Sequence, residues 1–366
     1  MTSPERFVNH DVNHDYRGRS VFISQDFMLV DVFNDIQQRL EARGIEVVRG
    51  PGSAPGQRVN FPRESWPQYF GRAEVAMFSS RNVATREIMQ FAPRLRGIVN
   101  PTIGLDTVDL QAAAELGIIV GHGATPENFN GIAEATVLLM LMLMYNPDAT
   151  REVMHGKRPR PAPTPESAWA RLMMRRTVGL VGFGRIARGV AERLQGWQMR
   201  ILAYDPYVPP ESVPAHVQLV DYDSLLRESD LVSVLVAVTP ESRGIISERA
   251  LSLMKPTAFL INTARGDAVD EAALIRALQQ KRIAGAALDN FQVEPLPADS
   301  PLWQLDNVIL TPHMIGHTKD VFASFGKAGE DNILAILRGE APPICKNPEV
   351  MPAFQARLQR LAQAGD

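Results

Sequence analysis

The feature that most constrains the fold is a glycine-rich turn near the middle of the chain. Gly182, Gly184 and Ala187 follow a short apolar segment and precede an amphipathic one in the stretch TVGLVGFGRIARGVAERL. The first glycine permits a tight turn, the second leaves the backbone open to close approach, and a small third residue sets how closely a helix packs on a strand. In this setting the pattern indicates a βαβ unit and therefore a parallel sheet.

Strand and helix signals alternate on both sides of this turn, so the sequence predicts an α/β protein with two doubly wound parallel-sheet domains. A chain of 366 residues is long enough for two such cores. Strands are predicted at 21–24, 46–48, 75–78, 97–99, 118–120, 177–181, 200–204, 231–238, 258–262, 285–288 and 308–310. Helices are predicted at 32–43, 109–116, 132–145, 186–194, 222–227, 248–253, 271–279 and 321–337.

Composition excludes several other classes of protein. The formal net charge is −3, with 38 basic and 41 acidic residues and no dense basic block, so a nucleic-acid partner is not expected. Cys345 is the single cysteine, which favours a reducing compartment, and the first thirty residues lack the apolar segment of a signal peptide. The longest apolar run, 137–145, is about half the length a membrane helix needs. The sequence therefore predicts a cytoplasmic protein without a membrane partner.

No metal site is expected. His10 and His14 are four residues apart in a polar N-terminal stretch, but no carboxylate or cysteine cluster accompanies them. The proline-rich segment 155–165 is predicted to be an extended arm or loop that runs over a surface, because proline at this density is incompatible with a helix or a central strand.

The setting of the glycine-rich turn predicts a dinucleotide site. The N-terminus of the following helix offers free N–H groups and partial positive charge to phosphates. Asp205 ends the next predicted strand, eighteen residues beyond Ala187, where a carboxylate can accept ribose hydroxyls and repel a 2′-phosphate. No arginine directly follows Asp205, so the sequence favours NAD over NADP.

Polar residues follow three later strands, at positions where an apolar core with only a structural role would not require them. Arg265 follows the strand that ends at Asn262, Asp289 and Glu294 follow the next, and His313 follows the last. Arginine can bind a carboxylate bidentately, and histidine can transfer a proton near neutral pH. A neighbouring glutamate favours the protonated imidazole and fixes its tautomer. Singly, each has a structural alternative: Arg265, for example, could pair with Asp267 or Asp270.

These motifs resemble the D-isomer-specific 2-hydroxyacid dehydrogenase family. Arg265 in NTARG, Glu294 before a proline and His313 in TPH match the catalytic arginine, glutamate and histidine of that family, and TIGLDTVDL matches its carboxylate-binding loop. The resemblance implies hydride transfer between NAD(H) and C2 of a small anionic D-2-hydroxy or 2-keto acid. It also implies a homodimer, and a Rossmann NAD domain (126–316) inserted in a flavodoxin-like substrate domain (1–125 and 317–366).

The resemblance further assigns residues to the two ligands. The substrate carboxylate is expected at the backbone amides of Ile103 and Gly104 and at Arg265. Cofactor contacts are expected from Gly182, Gly184, Arg185, Ile186, Asp205, Thr239, Thr263, Ala264, Arg265, Asp289, His313 and Gly316. His317 is expected to line the site or to pack rather than to act as a second acid.

The chain departs from the common family pattern at several positions. Leu235 and Ala237 stand where histidine and proline are usual, and Phe78 stands where many phosphoglycerate enzymes have an arginine, although Arg81 is close by. These departures weaken the case for phosphoglycerate as substrate. Two alternatives remain open: a non-enzymatic NAD(H)-sensing protein of the same family, and oxidation of formate or phosphite, although Glu294 argues against formate.

Overall fold

The computed structural model describes residues 14–52, 59–164 and 169–363. The chain folds into two compact units. Unit 1 consists of Met1–Thr125 and Lys319–Asp366, and unit 2 is the continuous segment Pro126–Thr318. The second crossing between units therefore falls two residues beyond the boundary expected from the sequence. His10 lies outside the described residues.

Unit 1 contains a five-stranded parallel sheet in the order β2-β1-β3-β4-β5, which is the flavodoxin-like order expected from the sequence. Its strands are β1 (Ser20–Ile23), β2 (Glu46–Arg49), β3 (Val75–Met77), β4 (Gly97–Asn100) and β5 (Ile119–His122). The helices between them are α1 (Val30–Ala42), α2 (Trp66–Phe70), α3 (Arg86–Phe91) and α4 (Leu110–Glu115).

Unit 2 contains a seven-stranded parallel sheet in the order β12-β11-β10-β9-β6-β7-β8. The strand order reverses at β6, which directly precedes the glycine-rich turn, and such switch points are where Rossmann folds bind ligands. Its strands are β6 (Thr177–Val181), β7 (Arg200–Tyr204), β8 (Val217–Leu219), β9 (Leu231–Val234), β10 (Phe259–Asn262), β11 (Gly285–Leu288) and β12 (Val308–Leu310). Its helices are α5 (Pro126–Tyr145), α6 (Pro147–Met154), α7 (Arg185–Leu194), α8 (Tyr222–Glu228), α9 (Glu248–Leu253) and α10 (Glu271–Gln279).

The chain then returns to unit 1 through α11 (Lys319–Arg338) and α12 (Met351–Gln363). Helix α11 packs on α1 and on strands β4 and β5 through an apolar face that includes Ile333 and Leu337. At the edge of this contact the buried carboxylate of Glu330 accepts hydrogen bonds from Arg39 and Arg43 of α1. The core of unit 1 is thus built from both ends of the chain.

Helix α5 is the one helix of the described ranges that is long and apolar enough to cross a membrane by length and composition alone. In unit 2 it packs on α7, and Ala133, Leu139, Met140 and Met144 are buried in the core they share with β6. The apolar composition of α5 therefore has a packing role within the unit. The helix begins at a proline, six residues before the predicted start.

Most predicted elements are present, with shifts of a few residues at their ends. The strand predicted at 231–238 was too long: β9 ends at Val234, and the following apolar residues enter the loop beside the glycine-rich turn. Four short or terminal helices (α2, α3, α6 and α12) and the edge strand β8 were not predicted. The described part of the proline-rich segment, 155–164, contains neither helix nor strand.

Candidate dinucleotide and catalytic site

The glycine-rich turn has the geometry that its sequence predicts. Gly182 has a φ of +90°, and a Cβ built there would lie 2.9 Å from Val236 Cγ1 and 3.0 Å from the Leu235 carbonyl. At Gly184 a Cβ would meet nothing within 4 Å. The backbone at Gly182 is therefore closed in by its neighbours, whereas at Gly184 it borders open space. Arg185 and Ile186 form the first turn of α7, whose leading N–H groups have no partner within the helix. These features fit the pyrophosphate of a dinucleotide.

Asp205 lies beside this turn. Its Oδ2 accepts a hydrogen bond from the Phe183 amide at 2.9 Å, and its Oδ1 accepts one from the Tyr207 amide at 2.9 Å. Each carboxylate oxygen has two lone pairs, so both can accept a further hydrogen bond. The aspartate is thus held against the glycine-rich turn in a partly exposed position at the end of β7.

Two further loops, at the carboxyl ends of β9 and β10, carry four of the expected cofactor residues: Thr239, Thr263, Ala264 and Arg265. Thr239 is exposed, and its amide donates to Ser242 Oγ at 2.8 Å. Thr263 is buried, and its hydroxyl contacts that of Thr136 on α5 at 2.9 Å. The amide of Ala264 donates to Asn262 Oδ1, which shapes the turn that leads to Arg265.

His313 and Glu294 are in direct contact. His313 Nδ1 lies 2.9 Å from Glu294 Oε2 and 3.1 Å from Oε1. An ionised carboxylate can only accept, so Nδ1 carries the hydrogen and Nε2 is left to face a ligand. His313 has a φ of +56°, a left-handed conformation that is uncommon for a residue with a side chain and that often marks functional sites.

The electrostatics of Glu294 favour its ionised form. Partial burial alone would raise the pKa of this carboxyl, but the hydrogen bond and charge of His313, the Phe291 amide and the charge of Arg265 outweigh burial and lower it. The positive charge of Arg265 is thus one of the influences that favour the ionised carboxylate. Asp267 pairs with Arg243 at 2.7 Å and Asp270 caps α10, so both carboxylates considered as partners of Arg265 have other roles.

Asp289 supports the loop that carries His313. It is buried, and its Oδ1 accepts hydrogen bonds from the Thr311 hydroxyl at 2.7 Å and from the amides of Met314 and Ile315 at 3.0 and 3.2 Å. Burial raises the pKa of this carboxyl, although these hydrogen bonds oppose the shift. The sequence predicts only a cofactor contact for Asp289. Its hydrogen bonds to the loop that carries His313 were not predicted, because no local pattern pairs Asp289 with Thr311.

Two more predicted residues lie in the same loop. A Cβ at Gly316 would come within 2.1 Å of Ile132 Cδ1, so this glycine allows the loop to pack closely on α5. The amide of His317 donates to the Met314 carbonyl at 2.9 Å.

In unit 1, the predicted carboxylate loop follows β4. Asn100 organises it: Asn100 Nδ2 donates to the Gly104 carbonyl at 2.7 Å, and Asn100 Oδ1 accepts from the Thr102 amide at 3.0 Å. The Ile103 carbonyl lies 3.4 Å from His122 Nδ1. The carbonyl oxygens of Ile103 and Gly104 therefore both make contacts within unit 1.

The loops after β1 and β3, at the same edge of this sheet, are joined by an ion pair. Arg81 Nη1 donates to Asp26 Oδ1 and Oδ2 at 3.1 and 2.9 Å, and the guanidinium lies 4.8 Å from the centre of the Phe27 ring. Asp26 and Phe78 are both buried. No local sequence pattern indicates the Asp26–Arg81 pair, since 55 residues separate its members.

Comparison with known proteins agrees with this geometry. The model of the D-isomer specific 2-hydroxyacid dehydrogenase NAD binding domain matches residues 137–315. A glyoxylate reductase from Thermofilum pendens is 39% identical over 269 residues, which cover 72% of this chain and 78% of the relative. The chain belongs to the D-isomer specific 2-hydroxyacid dehydrogenase family.

Two other members extend the comparison. D-3-phosphoglycerate dehydrogenase from Methanocaldococcus jannaschii is 36% identical over 299 residues, 79% of this chain but only 54% of that longer protein. The solved structure of an NADPH-dependent glyoxylate/hydroxypyruvate reductase from Sinorhizobium meliloti superposes with a TM-score of 0.72 at 26% identity and covers 88% of this chain and 96% of that one. The chain is an NAD-dependent D-2-hydroxyacid dehydrogenase that acts on 2-hydroxy or 2-keto acids, with a Rossmann NAD-binding domain.

Proposed function

We propose that this dehydrogenase reduces a small, unphosphorylated 2-keto acid of the glyoxylate type, with His313 as the proton donor. The observation that carries the proposal is the contact between His313 Nδ1 and Glu294, which leaves Nε2 for a substrate oxygen. Glyoxylate reductase is the name of the relative from Thermofilum pendens, and it suggests the size of the substrate.

The chemistry assigned to the side chains is general acid catalysis. Bound NADH supplies the hydride that forms the new C–H bond at C2. His313, protonated, donates its Nε2 proton to the 2-keto oxygen as the C=O π electrons move onto it, and it is left neutral. Glu294 accepts a hydrogen bond from Nδ1–H before and after this step, and it stabilises the imidazolium before the proton is donated. Arg265 binds the substrate carboxylate and draws electron density from the keto oxygen.

Unit 1 is proposed as the substrate domain. The amides of Ile103 and Gly104 are proposed to bind the substrate carboxylate. Each amide shares a planar peptide group with the preceding carbonyl. The Thr102 carbonyl accepts a hydrogen bond from the Gly123 amide at 2.9 Å and the Ile103 carbonyl lies 3.4 Å from His122 Nδ1, and these contacts support the role by orienting the two peptide groups. Preorganised donors of this kind need no reorganisation when an anion binds.

The absence of a phosphate on the substrate is inferred from Phe78 and Arg81. Phe78 is buried in the apolar core of unit 1, so it offers no charge. Arg81 is engaged by the buried carboxylate of Asp26, which offsets the positive charge that a phosphate would need. A phosphorylated 2-keto acid would therefore gain little at this edge of the sheet.

NAD is proposed as the preferred dinucleotide over NADP because of Asp205. Its carboxylate, fixed by the Phe183 and Tyr207 amides, is suited to ribose hydroxyls and would repel a 2′-phosphate. We further propose that the cofactor contacts are those expected from the sequence: Gly182, Gly184, Arg185, Ile186, Asp205, Thr239, Thr263, Ala264, Arg265, Asp289, His313 and Gly316.

A cytoplasmic homodimer is the proposed form of the enzyme. The support is a set of exposed large apolar side chains in and after α5 and α6, which a second copy would cover: Leu138, Tyr145, Met154, Leu172 and Met174. Light scattering of the purified chain tests this, and a monomeric mass at micromolar concentration would contradict it.

Steady-state rates of NADH oxidation across a substrate panel test the proposed reaction. The panel contains glyoxylate, hydroxypyruvate, pyruvate, a larger branched 2-keto acid and phosphohydroxypyruvate. We expect kcat/KM to be highest for one of the first three and at least tenfold lower for the phosphorylated acid. A preference for phosphohydroxypyruvate would refute the substrate assignment. NAD reduction by formate or phosphite, with no turnover of any 2-keto acid, would refute the reaction itself.

A further inference from the structure

The side chain of Arg185 is placed unusually for a basic residue. It is the first residue of α7, where the helix dipole is positive and disfavours a cation. It is exposed, and within the described residues no carboxylate pairs with it. The other two arginines of α7 are engaged: Arg188 donates to the Ser212 carbonyl and Arg193 to Glu134. Arg185 therefore keeps its N–H groups available beside the glycine-rich turn.

One contact orients this guanidinium. Its Cζ lies 4.8 Å from the centre of the Phe129 ring, which belongs to the first turn of α5. A guanidinium held over an aromatic face by attraction to the ring keeps N–H groups that can donate to an anion. An ion pair would hold Arg185 equally well, but it would also neutralise the charge that a phosphate needs.

The segment of α5 that carries Phe129 is packed against α7 within unit 2. Helices α5 and α7 approach closely where Gly189 faces Ala133, because a Cβ at Gly189 would lie only 3.2 Å from that of Ala133. Near the same contact Arg193 donates to Asn130 at 3.0 Å, one residue after Phe129. These contacts hold the first turns of α5, which carry Phe129, against α7.

We propose that Phe129 is a positioning residue for the dinucleotide: it holds Arg185 so that the guanidinium edge contacts the pyrophosphate. This inference rests on the proposed cofactor contacts at Gly184 and Arg185. Phe129 does not touch the reacting atoms, and its effect passes through Arg185.

A double-mutant cycle on dissociation constants tests the proposal. NADH binding is measured by calorimetry for the wild type, Phe129→Ala, Arg185→Ala and the double variant. We expect Phe129→Ala to raise the Kd for NADH about 3- to 5-fold. Arg185→Ala should raise it about tenfold or more, and Phe129→Ala should then add nothing further. Phe129→Trp, which keeps an aromatic face, should bind NADH as the wild type does.

Smaller probes and a control variant separate this effect from general damage to the fold. Phe129→Ala should weaken binding of ADP, which has the pyrophosphate, but not of adenosine. Arg63→Ala removes another contact between an arginine and an aromatic ring, in unit 1, where Arg63 Cζ lies 5.6 Å from the centre of the Trp66 ring. This variant should leave the Kd for NADH unchanged.

The outcomes also distinguish this inference from the cofactor assignment. If Arg185→Ala weakens NADH binding but Phe129→Ala does not, the positioning role is wrong and the site stands. Equal losses from Phe129→Ala with and without Arg185 would also overturn it, since Phe129 would then act by another route. If neither Arg185→Ala nor Gly184→Ala changes the Kd, the placement of the pyrophosphate itself is wrong.

Discussion

Alanine substitutions at Gly182 and Gly184 should affect different properties, the stability of the fold and the affinity for NADH respectively, although only Phe183 separates the two glycines. At Gly182 an alanine must adopt a φ of +90°, which costs about 1–2 kcal/mol, and its methyl group must push against Leu235 and Val236, which typically costs about 1–3 kcal/mol. We therefore expect Gly182→Ala to lower the free energy of unfolding by about 2–5 kcal/mol.

At Gly184 the backbone is compatible with alanine, with a φ of −78°, and the methyl group would meet nothing within 4 Å. Reduced freedom of the unfolded chain stabilises the variant, whereas alanine is a poorer N-cap than glycine, so the two small effects oppose each other. The free energy of unfolding should change by less than about 1 kcal/mol. The methyl group would instead stand where the pyrophosphate approaches, and NADH affinity should fall about tenfold or more.

Urea unfolding without cofactor and NADH titration of the folded protein measure the two quantities independently. Wild-type NADH affinity in Gly184→Ala would refute the placement of the pyrophosphate. Unchanged stability in Gly182→Ala would refute the steric reasoning about the turn.

Three further substitutions test the proposed chemistry. His313→Ala should lower kcat by about 10²- to 10⁴-fold while NADH binding persists, and an unchanged kcat would remove His313 from the mechanism. Because the pKa of Glu294 is lowered, its carboxylate stays ionised as the pH falls through the ordinary glutamate pKa of about 4.3. The contribution of this carboxylate to catalysis and stability should be present above that pH and lost only at more acidic pH, which gives the pH–rate profile an acid limb. Glu294→Gln should abolish this limb. If the limb persists in the variant, it belongs to another group. Asp205→Ser should raise the Kd for NADH and lower that for NADPH, and steady-state KM values for both dinucleotides would show whether the ratio moves as expected.

The sequence predicted those parts of the fold that depend on strong local periodicity. The strands of unit 2 were located closely because buried parallel strands are continuous apolar runs bounded by turn residues. The same rule extended the strand after Leu231 too far, since Val236 and Val238 look like strand residues but pack beside Gly182 and in the core. The edge strand β8 has three residues with an exposed Gln218 at its centre, so it lacks the continuous apolar run that located the equally short strands β3 and β12.

The candidate site was predictable where chemistry follows motif, and not where it depends on long-range partners. Glu294 and His313 were paired by the sequence, and the structure brings them into contact. Two other contacts join residues far apart along the chain: the hydrogen bond that the Thr311 hydroxyl donates to Asp289, and the contact of Arg185 with the Phe129 ring. Contacts of this kind arise from the packing of elements, which no local pattern encodes.

The return of the chain from unit 2 to unit 1 has a consequence for biosynthesis. Unit 2 is one continuous segment and can complete its sheet as soon as it leaves the ribosome. In unit 1, by contrast, the apolar face of α1 is not covered until α11 is made, and α11 begins roughly 200 residues after the first segment of this unit ends at Thr125. At ordinary translation speeds this delay is about 10–40 s. During that time the first 125 residues expose Phe33 and Ile36, which α11 later covers, so truncated or stalled chains should be clients of chaperones.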